Sequence, residues 1–68
     1  MDDYEEMDGD CSGNNIDLYQ NSDLDKCKEI CNNNKECKGF SISSTNCIPK
    51  TVACDNPTPS NYKFYKKP

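Results

Sequence analysis

The sequence predicts a small α+β domain braced by disulfides, with one helix packed on a short antiparallel sheet. Three observations carry this expectation. Six cysteines stand in 68 residues, a density that marks a disulfide scaffold from an oxidising compartment. Residues 22–33 combine a helix-start signature with a single apolar face. Residues 37–43 and 61–66 alternate apolar and polar side chains, the period of a strand with one face on a core. With only 32% hydrophobic positions, burial leaves little surplus over chain entropy, so covalent staples decide whether such a chain folds.

Residues 1–10 hold six acids and no base and read as a flexible acidic arm ahead of a domain at 11–68. Tyr4, between Asp2, Asp3, Glu5 and Glu6, is a sulfation candidate, because the secretory-pathway reaction favours a tyrosine among acids. An acidic arm carrying an aromatic also suits docking on a basic patch of a partner. Ile16-Asp17-Leu18-Tyr19 predicts a short strand with Ile16 and Leu18 on one face. Ser22 as N-cap, with Asp23 and Asp25 in the first turn, starts a helix over 23–33. Leu24, Cys27, Ile30 and Cys31 form its apolar face. Asn32-Asn33-Asn34 ends it, since asparagine readily takes turn and left-handed conformations. Cys27 and Cys31 project from the same face, so each needs a partner outside the helix.

Phe40 and Ile42 then share one face of a strand beginning near Cys37. Ser43 to Asn46 turn, and Cys47-Ile48-Pro49-Lys50 return as the second arm of a hairpin, with Pro49 at an edge or strand end. Asp55 to Ser60, with two prolines, is a loop. Asn61 to Lys66 make a closing strand, with Tyr62 and Phe64 facing one way and Lys63 and Tyr65 the other.

Composition excludes several function classes. The chain contains no histidine and no Cys-x-x-Cys, which argues against zinc and against a thioredoxin-like redox centre. Without histidine or a free thiol beyond three bridges, no nucleophile–base set can be assembled, so no enzyme and no cofactor is expected. Residues 11–68 set eight lysines against six acids, and no arginine is available to fork onto phosphate, so nucleic acid is not an expected partner. No stretch is long and apolar enough for membrane insertion, and the N-terminus lacks the apolar core of a signal peptide. If the domain is secreted, its signal has been removed and Met1 is an added initiator. Asn56, followed by proline, is the only near match to a glycosylation sequon.

The run Cys27-x3-Cys31-x5-Cys37-x-Gly39-Phe40, the hairpin reaching Cys47 and the closing Tyr62-Lys63-Phe64-Tyr65-Lys66 together resemble the PAN/apple domain family, over about residues 11 to 66. Ser22 to Lys28 also look close to the helix start of the leech anti-platelet proteins within that group. By position, the resemblance implies bridges Cys27–Cys47, Cys31–Cys37 and Cys11–Cys54. Cys54 departs from the pattern of many apple domains, in which the last cysteine lies at the very end.

The resemblance implies a secreted, non-catalytic adhesion or recognition module that binds an extracellular protein or a glycan in a lectin-like way, alone or as one module of a longer protein. The alternative it implies is a secreted inhibitor of haemostasis, acting on platelet adhesion or a protease, with the Tyr4 arm as a second contact. A structural spacer without a ligand is a third reading. The candidate ligand-binding residues are Tyr62, Lys63, Tyr65, Lys66 and Lys67, which combine aromatic surface with positive charge. Against this stands the view that Tyr62 and Phe64 are core and the lysines guard a strand edge. The acidic arm is expected to fold back on the lysines and mask them.

Overall fold

The protein is described by a computed structural model over residues 3–68. Met1 and Asp2, the first residues of the expected arm and the site of the expected added initiator, lie outside the described residues. The arm itself is the main correction. Glu5–Asp10 form strand β1, paired antiparallel with the last strand. The other elements are helix α1 (Leu24–Asn32), strands β2 (Gly39–Ser43) and β3 (Asn46–Lys50), and β4 (Thr58–Lys66). The four strands form one antiparallel sheet in the order β1-β4-β2-β3.

Local propensity does not make β1 a strand; its partner does. In its register Glu5 faces Lys66 and Asp8 faces Lys63, so acids that would repel along an isolated segment become opposite-charge cross-strand pairs. Met7 faces Phe64. Gly9 ends the regular pairing in a bulge with φ +116°, a conformation that glycine adopts without a side-chain penalty.

The helix begins one residue later than expected. Asp23, not Ser22, is the N-cap: its Oδ1 accepts from the Lys26 amide at 2.9 Å. Ser22 is buried and joins the loop to the hairpin instead, its amide donating to the Thr45 carbonyl at 2.9 Å. The helix stops at Asn33 in a right-handed rather than left-handed conformation (φ −85°). Lys67 Nζ caps this end from outside, donating to Cys31 O in the last turn at 2.9 Å and to Asn34 O just past the helix at 3.3 Å. A cation there also complements the helix dipole.

Residues 16–19 do not form the expected strand. Only Asn15 and Tyr19 make isolated bridges, to Lys50 and Cys47 of β3. Between them the Leu18 amide bonds to Asp17 Oδ1 at 2.8 Å, a local bond that competes with a ladder. Leu18 turns outward and is 53% exposed. The two bridges still cover the outer edge of β3, where Pro49 supplies an acceptor to the Ile16 amide at 2.8 Å.

Three bridges are present: Cys11–Cys54, Cys27–Cys47 and Cys31–Cys37, the same pairs that the resemblance implies. The sheet is covered on both sides. On one, Cys27, Cys31, Cys37, Cys47, Phe40 and Tyr65 form the core beneath α1. On the other, Phe64 and Ser41 are fully buried and share a face with Lys50, because paired residues of neighbouring strands point to the same side. Residues 10–15 and 51–57, joined by Cys11–Cys54 and by the Thr51 amide donating to Asn14 O, cover that second face and bond to it at Lys50 and Lys66.

Candidate recognition site

The predicted ligand patch does not survive as a patch. Tyr65 is 9% exposed, stacks on Phe40 with ring centroids 5.2 Å apart, and donates its hydroxyl to Glu6 Oε2 at 2.7 Å. Burial first, and the bond to Glu6 second, push its phenol up to about 12. Tyr65 belongs to the core because α1 covers the side of β4 that was expected to face solvent, so it offers a ligand no ring face.

The lysines are paired. Lys63 Nζ lies 2.6 Å from Asp8 Oδ1, and this bond raises the Lys63 ammonium and lowers the Asp8 carboxyl from their ordinary ranges. Lys66 bonds to Asp55 at 3.0 Å, which raises its ammonium in turn. Lys67 caps the helix. Tyr62 is half-buried on β4. Of these lysines the acidic segment bonds to Lys63, through Asp8, and it does so as a paired strand rather than a loose arm.

Tyr4 is docked. Its ring lies 5.3 Å from Phe40, its hydroxyl donates to Asn32 Oδ1 at 2.6 Å, and Lys28 Nζ stands 6.0 Å from the ring centroid. The sulfation candidate thus has its oxygen on the helix, and an arm reaching out to a second contact is not the conformation observed.

Another arrangement takes the place of the patch. A cleft of about 270 Å³ opens beside Cys11–Cys54, lined by Ser12, Gly13, Asn14, Val52, Ala53, Asn56 and Thr58, with Asp10 and Lys50 at its base. Lys50 is 2% exposed. Its Nζ donates to Gly13 O at 3.2 Å and to Asn15 Oδ1, and lies 3.8 Å from Asp10 Oδ1. Asp10 Oδ1 also accepts from Ser41 Oγ at 2.5 Å and from the Cys11 amide at 2.8 Å. An ammonium and a carboxylate are thereby fixed side by side by main chain and buried hydroxyl, beneath a rim of exposed amides and hydroxyls. Such a base can offer donors and acceptors without reorganising, while Val52 and Ala53 supply an apolar wall.

Neither charge was legible as a site residue. Asp10 falls at the end of the acidic run, and Lys50 looks like one more lysine on a hairpin. Asp10 is placed by its pairing with Thr58 of β4 and its bond from Ser41, and Lys50 by its pairing with Gly39 and its bridge to Asn15, so residues forty positions apart meet only through the tertiary fold. Comparison with family models, curated proteins and solved structures finds no match to this chain.

Proposed function

We propose that this chain is a non-catalytic recognition module of the extracellular space, similar to PAN/apple domains, which binds a glycan or protein partner at the cleft beside Cys11–Cys54. The observation that carries the reading is the pairing of a buried Lys50 with a partly exposed Asp10 at the base of an open, polar-rimmed cleft. A buried charge pair is a weak source of stability, and a concave site with a few convergent polar groups is the usual form of a binding site. Three bridges in so short a chain favour an oxidising compartment. The absence of histidine and the engagement of all six sulfurs in bridges favour binding over catalysis.

The test is a glycan array probed with the oxidised domain, multimerised for avidity, beside a panel of immobilised matrix proteins and a reduced control. Saturable, bridge-dependent binding on either surface supports the module. Silence on both leaves a spacer without a ligand and defeats the proposal.

A further inference from the structure

We infer that the cleft recognises one neutral sugar ring, reading two adjacent hydroxyls with Lys50 and Asp10; this rests on the recognition reading above. An ammonium has three donors. Lys50 gives two of them to Gly13 O and Asn15 Oδ1, while the nearest carboxylate oxygen, at 3.8 Å, is beyond hydrogen-bond reach. On the carboxylate, Oδ1 takes the bonds from Ser41 and Cys11, and Oδ2 makes none among the described residues. The Asp10 side chain is 27% exposed, so it meets the cleft. One donor and one acceptor therefore stand unused beside each other.

A hydroxyl accepts and donates at the same oxygen. Neighbouring hydroxyls of a pyranose fit this base, one accepting from Lys50 Nζ and the other donating to Asp10 Oδ2. The pair has no net charge, so the base gives no preference to an anionic or cationic ligand over a neutral one. A cleft of about 270 Å³ lies at the small end of ligand sites, which suits a terminal ring rather than a chain of sugars. Val52 and Ala53 provide the apolar wall that the C–H face of a sugar needs. Asn14 and Asn56 stand at the rim with side chains that bond to nothing else among the described residues.

The experiment is a titration of the oxidised, ¹⁵N-labelled chain, followed by amide chemical shifts. The probes are methyl β-D-galactopyranoside, methyl α-D-mannopyranoside, their per-O-methylated forms and methyl β-D-glucuronide. Saturable shifts confined to residues 10–15 and 51–58 with a free glycoside, absent with its O-methylated form, are expected. Asn14→Gly suits the positive φ of that residue (57°), and with Asn56→Ala it should weaken binding about three- to tenfold per bond lost without unfolding the domain. Asp10→Asn removes the negative charge and should shift the preference towards the glucuronide; a merely structural Asp10 would not change which sugar is favoured. Shifts centred elsewhere, such as around Tyr19 and Asn34, would overturn the cleft assignment while sparing the recognition reading. No shift with any glycoside, alongside saturable binding to a matrix protein, would overturn the sugar inference alone.

Discussion

Tyr65 donates its hydroxyl to Glu6 Oε2 at 2.7 Å, and this bond fastens the acidic strand to the core. The phenol is held neutral, pushed up from 10.0 to about 12 by burial and by Glu6. An unfolded chain would ionise first as pH rises, so stability from this group is fully present below pH 10 and is lost as pH climbs towards 12. The shift corresponds to about 2 to 3 kcal/mol when complete. Tyr65→Phe should lose about 1 kcal/mol at neutral pH and show a flatter alkaline limb. Urea midpoints of the two proteins between pH 8 and 11 test this; parallel limbs would refute it.

The acidic segment offers a second comparison. If Glu5–Asp10 were a solvated arm, its removal would leave the fold intact and merely release lysines. As an edge strand it covers β4 and, through Tyr4, part of Phe40. Deleting residues 1–10 should therefore lower the thermal midpoint clearly and speed amide exchange along Tyr62–Lys66. Asp8→Asn, by contrast, should leave stability unchanged, because the Asp8–Lys63 pair is exposed. It should nonetheless strengthen retention on a sulfated polymer at low salt, by freeing one ammonium. Equal midpoints for the deletion and the full chain would restore the arm.

How much of this was legible follows from the range of each signal. The helix, the hairpin and the inward turn of Cys27 and Cys31 rest on residues three to five apart, and the sequence carries them. Tyr65 was misplaced because alternation divides a strand into two faces but does not say that both are covered. Here α1 lies on one face and the Cys11–Cys54 segments on the other, so Phe64 and Tyr65 are both buried. The strand at Glu5–Asp10 depends on lysines more than fifty positions away; its only trace was the opposition of an acidic beginning and a basic end. The Lys50–Asp10 base is further hidden, since it joins the ends of two different strands and no local pattern links them.

The three bridges should open in a defined order. Cys27, Cys31, Cys37 and Cys47 are fully buried, whereas Cys11 and Cys54 are half-buried at the cleft. Exchange requires a reductant to reach the sulfur. Limited treatment with a water-soluble phosphine, followed by alkylation and peptide mass mapping, should label Cys11 and Cys54 first. The cleft should lose glycoside binding at that stage while α1 and the hairpin persist by circular dichroism. Labelling of Cys31 and Cys37 ahead of this pair would show that helix fraying, not surface access, governs the order.

Gly39, between Lys38 and Phe40, tests why the run Cys37-x-Gly39-Phe40 carries a glycine. Its backbone is not left-handed, so conformational freedom is not the reason. Space is: an added Cβ would lie 2.6 Å from Phe64 Cζ and 2.7 Å from Tyr65 O. The Phe64 ring lies against the α-carbon of Gly39, on the sheet face turned away from α1, and the main chain of β4 is held by pairing on both sides. Neither neighbour can yield without disturbing the sheet. Gly39→Ala should therefore cost about 1 to 3 kcal/mol, as overpacking does. Adding Phe64→Leu, which vacates the ring atoms nearest the new methyl, should recover part of the loss relative to Phe64→Leu alone, a coupling readable in a double-mutant cycle. Strictly additive costs in that cycle would mean that the Tyr65 carbonyl, not the ring, sets the limit at Gly39.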